Sequence, residues 1–218
     1  MRVLVLDESP LFRRQLIVAL ERHPDIEVIG EAADADTGLR RTAELIPDVA
    51  VLTMRLPPIG GRRAAVSLRE VAPVVEVLIV VGPDDGPELA RLARAGVTGF
   101  VPWEAATARC AAVVEALVRG RPVLTPQAAA AVLAEYERLD RHAGSIQDDL
   151  PPPTLERPER QVLERLADGA SLIGASDALA VGAPTAANLV RNALVKLQHH
   201  ARAEAVLHAM HVPSTDSG

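Results

Sequence analysis

The sequence predicts a doubly wound α/β domain, with a five-stranded parallel sheet, followed by a small all-helical domain. Three observations predict it. Short apolar runs alternate five times with helix-period stretches between Arg2 and Val118. That alternation specifies a parallel sheet joined by right-handed crossovers. A stretch from His142 to Thr154, with Gly144, Asp148, Asp149 and three prolines, then interrupts the chain. Beyond it, from Leu155, only helical spacing remains.

The elements follow in order. Arg2 to Leu6 is a buried strand closed by Asp7-Glu8-Ser9-Pro10. Ser9 is a cap and Pro10 a first helical position. Phe12, Leu16, Ala19 and Leu20 then form an apolar stripe, with Arg13, Arg14 and Arg22 outside it. Pro24-Asp25 turns into a strand from Ile26 to Gly30, and Ala35 to Ile46 is a second helix. Val49 to Leu52 is continuously apolar, as a strand covered on both faces should be. Thr53 stands at its carboxyl end, and Pro57, Pro58, Gly60 and Gly61 break the chain before a helix from about Arg62 to Val71. Val77 to Val81 is the fourth strand, ended by Gly82-Pro83. A helix from Pro87 to Ala95 stops at Gly96, a left-handed cap. Val97 to Val101 and Thr107 to Val118 complete the alternation. Thr125-Pro126 starts a connector helix to about Arg141, whose narrow stripe of Val132, Leu133 and Tyr136 implies docking on a neighbour. The boundaries expected are 1–121, 122–154 and 155–212. In the last part, helices run from Pro158 to Ala167, Ser171 to Ala180, Thr185 to Gln198 and Ala203 to Met210. A short helix, a turn and a longer helix form a helix-turn-helix arrangement.

Composition narrows the function. Of 218 residues, 49% are hydrophobic but only 2% aromatic, so Ala, Val and Leu build the core. The net charge of −6 gives no general affinity for nucleic acid or membrane, so any DNA contact needs a local patch. One cysteine, Cys110, excludes an internal disulfide and fits a reducing cytoplasm. Nothing at the start reads as a signal peptide, and no apolar run approaches a membrane span.

In an open parallel sheet, ligands and chemistry collect outside the carboxyl ends of the strands. The residues there are Asp7 and Glu8 after strand one and Thr53 after strand three. The stretch Pro47-Asp48-Val49-Ala50-Val51-Leu52-Thr53-Met54-Arg55-Leu56-Pro57-Pro58-Ile59-Gly60 resembles the phosphoacceptor segment of response-regulator receiver domains, P-D-(apolar)4-D-x-x-M-P-x-x-x-G. That resemblance places Thr53 where receivers carry the phosphorylated aspartate. It places Val81 at the switch hydroxyl and Trp103 at the switch lysine. A threonine hydroxyl forms no acyl phosphate. Two acids without a third carboxylate make a poor Mg²⁺ site, so no cofactor or metal is expected. The expectation is a pseudo-receiver that is not switched by aspartyl phosphorylation. Trp103 has two readings: it plugs the pocket, or with Val81 and Thr53 it lines a less charged cavity suited to a small apolar ligand.

The C-terminal part resembles the DNA-binding domain of the NarL/FixJ (LuxR-type) family. Leu155-Glu156-Arg157-Pro158-Glu159-Arg160-Gln161-Val162-Leu163 is similar to L-T-x-R-E-x-x-V-L. Ala167-Asp168-Gly169-Ala170-Ser171, Thr185-Ala186-Ala187-Asn188-Leu189-Val190 and Leu194-Val195-Lys196-Leu197 follow in the family's order. The resemblance implies a cytoplasmic two-domain transcriptional regulator. Its DNA contacts would be Thr185, capping the recognition helix, Asn188 reading a base edge, and Arg191, Asn192 and Lys196 holding backbone. The family's lysine and histidine are Ala187 and Leu189 here. Six Arg or Lys stand against six Asp or Glu from Leu155 to Val212, which implies weak binding with a shallow salt slope. The expected partners are double-stranded DNA and a second copy, through the last helix, Ala203 to Met210, or through a face exposing Val113, Leu117 and the connector helix. A small ligand or another regulator is a further candidate, in a protein that acts by pairing. An enzyme reading, with Asp7 as nucleophile, fails because Ser9 stands where such enzymes need a second aspartate. His199, His200, His208 and His211 read as helix-end residues on terminal carbonyls.

Overall fold

The computed structural model describes residues 1–142 and 150–211, with His142 and His211 described by backbone only. Most of the expected linker and the end of the chain lie outside the described residues. Five parallel strands form one sheet in the order β2-β1-β3-β4-β5: β1 (Arg2–Leu6), β2 (Glu27–Ala32), β3 (Val49–Thr53), β4 (Glu76–Val81) and β5 (Gly99–Pro102). Helices α1 (Pro10–Glu21), α2 (Ala35–Leu45), α3 (Gly61–Val71), α4 (Gly86–Arg94) and α5 (Ala106–Val118) make the crossovers. Single 3-10 turns at Pro83–Asp85 and Trp103–Ala105 precede α4 and α5. Strand order reverses between β1 and β3, so the crevice at their carboxyl ends is the topological switch point.

Alternation along the strands sorts the core into two layers. Leu4, Leu6, Ala50, Leu52, Val77, Ile79 and Val81 face α2, α3 and α4. Val3, Val5, Val49, Val51, Leu78, Val80 and Val101 face α1 and α5. Because both faces are covered, β3 is buried at every residue. Ser9 accepts from the Phe12 N–H, Asp34 from the Thr37 N–H at 2.8 Å, and Pro10 stands in the first turn of α1. Val113 and Leu117 are buried in the α1/α5 layer. They do not form the exposed dimer face expected from sequence, because α5 turns those positions onto the sheet.

The helical part comprises α6 (Pro126–His142), α7 (Arg157–Ala167), α8 (Leu172–Ala178) and α9 (Ala183–His211). Two expected helices are one here. The segment His199-His200-Ala201-Arg202 holds no Gly or Pro to stop a helix, so α9 runs 29 residues without interruption. It starts before Thr185, which lies inside the first turn and is not its cap. A third core joins Ala93 of α4 to Ala129, Val132 and Tyr136 of α6 and to Val162, Leu163, Val190, Leu194 and Leu197 of α7 and α9. The narrow α6 stripe is thus covered on two sides. Among the described residues, no helix is long and apolar enough to cross a membrane.

Candidate functional site

The switch-point crevice is an open cleft of about 520 Å³, with Asp7, Glu8, Thr53, Arg55, Asp84, Asp85, Trp103 and Glu104 among its lining residues. Asp7 directly follows β1 and is 1% exposed, and Thr53 ends β3 and is 2% exposed. The Thr53 hydroxyl donates to Asp7 Oδ2 at 2.6 Å, with the Arg55 carbonyl oxygen at 3.2 Å as a weaker acceptor. Asp7 Oδ1 accepts the Ser9 N–H at 2.8 Å, and Arg13 donates to the Asp7 carbonyl oxygen at 2.6 Å. Burial pushes the Asp7 carboxyl above its ordinary value, only partly offset by the bonds from Thr53 and Ser9. Gly61 fixes the other side of this corner. A Cβ there would lie 2.0 Å from the Thr53 carbonyl oxygen, so only glycine lets α3 start this close to the end of β3.

This donor set does not fit the divalent cation that receivers hold. A hard cation needs several anionic or carbonyl oxygens around it. Here the third carboxylate is a neutral hydroxyl, and it donates its proton to Asp7 Oδ2. Among the described residues no group of three or more Asp, Glu, His or Cys is arranged to hold a metal ion.

The cleft brings together Asp7, Glu8, Thr53 and Trp103, but not Val81. Strand alternation turns Val81 into the layer under α4, and its neighbour Val80 lines the cleft instead. Trp103 does not plug the crevice. Its indole is 43% exposed and stacks on Phe12, with ring centroids 3.7 Å apart and planes inclined by 16°. Nor is the crevice poor in charge: five carboxylate side chains line it. Asp84, Asp85 and Glu104 were missed from sequence, although acids directly after a strand end at this edge are a readable signal.

The helix-turn-helix residues divide into two sets. Thr185, Asn188 and Asn192 are exposed on α9. Arg191 and Lys196 are engaged. Lys196 Nζ lies 2.7 Å from Glu159, a carboxylate 2% exposed, and 3.3 Å from the Thr154 carbonyl oxygen. The Arg191 guanidinium lies against Gly120, where a Cβ would sit 2.7 Å from it. Gln198 lies against Gly96 in the same way. Ala187 is 1% exposed. Arg191 and Gln198 fall seven residues apart on one stripe of α9, and both lie against the α/β part.

Polar contacts fasten this packing. Arg94 of α4 bridges Glu135 of α6, at 2.6 Å, and Glu204 of α9. Arg138 also holds Glu135, at 2.8 Å. Burial works against the Glu135 charge, but the bonds from Arg138 and Arg94 outweigh it and hold the carboxyl below its ordinary value. The Tyr136 hydroxyl donates to the Ala193 carbonyl oxygen at 2.7 Å. Burial pushes the Cys110 thiol up to about 12, which makes it an inert packing group.

A doubly wound domain with its cleft at the switch point, joined to a helical region, has the architecture of a receiver domain with a helical partner. Comparison with known proteins agrees. The family model described as the response regulator receiver domain matches residues 3–115. The chain is 30% identical over 211 residues to the probable transcriptional regulatory protein NarL of Mycobacterium tuberculosis, covering 96% of this chain and 93% of that protein. It is 28% identical over 208 residues to the transcriptional regulatory protein LiaR of Bacillus subtilis, covering 95% and 96%. The solved signal receiver domain of the M. tuberculosis NarL aligns with a TM-score of 0.52 at 29% identity, covering 55% of this chain and 97% of that one. The chain belongs to the response-regulator family, with relatives among its NarL- and LiaR-type transcriptional regulators.

Proposed function

We propose that this chain is a cytoplasmic, DNA-binding transcriptional regulator whose receiver domain is not switched by aspartyl phosphorylation. The observation that carries the proposal is the Thr53–Asp7 hydrogen bond at 2.6 Å. It occupies the place where the receiver resemblance puts a phosphoacceptor carboxylate beside a metal. A Thr53 phosphate would be an ester, without the lability of an acyl phosphate, and the hydroxyl is buried. The division into 1–121, 122–154 and 155–212 belongs to the same reading: a receiver domain, a connector and a DNA-binding domain.

Regulation then lies in the packing of α9. A DNA duplex cannot reach Arg191 while that stripe faces the α/β part. Binding requires an open state, and any ligand or partner that favours it shifts the equilibrium only by its differential affinity. Thr185, Asn188 and Asn192 are ready to meet DNA in either state, whereas Arg191 joins them on opening. A second reading, a module that acts through another regulator, is favoured by one observation. Lys196, the sole lysine, is committed to Glu159, which leaves the helix few cations for phosphates.

Genome-wide capture of DNA fragments on the purified protein separates the two. Discrete sites that persist after Thr53→Ala and disappear after Arg191→Ala establish the regulator. No enriched site at low salt overturns it in favour of the partner-acting module.

A further inference from the structure

We propose that the exposed stripe of α9 reads A·T pairs in the major groove, through the amides of Asn188 and Asn192 on adenine and through Val195 on a thymine methyl group. The inference rests on the DNA-binding reading and deepens it, because it names the bases that the helix selects.

The packing of α9 defines the stripe. Ala186, Val190, Ala193, Leu194 and Leu197 are buried in the helical core. At about 100° per residue, Asn188, Asn192 and Val195 point the opposite way. All three are exposed, Val195 at 37%. A helix that enters a groove presents the face opposite its own core, and helix-turn-helix units use its N-terminal residues for base edges. Both asparagines lie within about the first three turns of α9. Four residues rise about 6 Å along a helix, close to two base-pair steps of about 3.4 Å each. The two amides therefore meet pairs about two steps apart. Val195 stands about 4.5 Å further along, at the next step.

The side-chain chemistry selects the bases. An asparagine amide donates to adenine N7 and accepts from its N6 amino group, a bidentate match. Guanine offers two acceptors there, which suit arginine. The stripe offers none, since Arg191 rests against Gly120 and Lys196 is held by Glu159. Nor does it carry a carboxylate for the amino donor of cytosine. Among the described residues, no group within the chain holds either asparagine side chain, so both amides are free to turn to a base. Few cations remain for phosphates, which leaves base edges a larger share of the affinity. Asn192, expected from sequence to hold backbone, thereby becomes a second base reader.

The test is selection of duplexes from a random pool by the full chain, followed by titration of the best duplex and its analogues. The expected consensus carries two A·T pairs about two steps apart. Replacing the first adenine by 7-deazaadenine, which lacks the N7 acceptor, weakens binding about tenfold. Asn188→Ala weakens it by a similar factor and removes the sensitivity to that replacement, because the same bond is already gone. Asn192→Ala does the same at the second adenine, and Val195→Ala at a thymine replaced by deoxyuridine. All three changes are at exposed positions and leave the circular dichroism spectrum unchanged. A consensus without these pairs overturns the inference and leaves the regulator reading standing. So does a 7-deazaadenine penalty that is as large for Asn188→Ala as for the natural chain. A pool with no enriched sequence overturns both.

Discussion

Thr53→Asp returns the missing carboxylate to a site whose other groups no longer expect it. The Thr53 oxygen lies 2.6 Å from Asp7 Oδ2 and donates its proton there. An aspartate at that position has no proton to give at neutral pH. Two carboxylates about 4 Å apart, at an effective dielectric of about 20, repel by about 4 kcal/mol. Burial already raises the Asp7 carboxyl, and a like charge raises it further. The sign follows. A carboxyl whose folded value is raised holds its proton more tightly in the fold, so stability falls as pH rises through that value. The variant should therefore unfold at lower denaturant than the natural chain at pH 8, by a few kcal/mol, and nearly match it at pH 4. Mg²⁺ should restore most of the difference at pH 8, because a third carboxylate completes a hard-cation site. Paired denaturant titrations with Mg²⁺ and with chelator measure this. Equal stabilisation of the natural chain and the variant by Mg²⁺ would refute the reasoning about the donor set.

Further outcomes follow from the α9 packing. Lys196→Met leaves the buried Glu159 side chain short of a partner, and should cost about 1–2 kcal/mol in chemical denaturation, less than a fully buried pair because Lys196 is partly exposed. A fall in DNA affinity with unchanged stability would mark Lys196 as a DNA contact instead. Tyr136→Phe removes the donor to the Ala193 carbonyl oxygen and should cost about 1 kcal/mol, read as faster amide exchange in α9. The Glu135 carboxyl is held below its ordinary value, so its contribution is present at neutral pH and is lost as pH falls through the folded value. Amide exchange in α6 should accordingly rise on acidification below the ordinary carboxylate range, and Glu135→Gln should abolish that pH dependence.

The α/β half was legible because its signals are local. Buried parallel strands read as apolar runs, and Ser9, Pro10 and Gly96 punctuate their helices by backbone chemistry. Asp7, Glu8 and Thr53 could be placed at one crevice because the topology rule fixes the strand ends, and Trp103 because the receiver resemblance puts it where the switch lysine stands. Val81 could not, since the resemblance fixes its position at the strand end but not which layer its side chain faces. The role of Trp103 was also hidden, because the stack on Phe12 joins residues 91 positions apart. Helix-turn-helix spacing was legible, but the continuity of α9 rested on the absence of a breaker around His199 and His200. The engagement of Arg191 and Lys196 was illegible for a plainer reason. Spacing shows which residues share a helix face and does not show which other part of the chain that face meets.

On the proposed function, the receiver cleft takes no acyl phosphate. The most direct measurement incubates the purified chain with a small-molecule phosphodonor and Mg²⁺. A response-regulator receiver that retains its phosphoacceptor aspartate is treated alongside, and the intact mass and DNA affinity of each are read. The account predicts an unchanged mass and unchanged DNA affinity for this chain while the control gains one phosphoryl group. A hydroxylamine-labile phosphoryl group on this chain, with a matching change in DNA affinity, would contradict it.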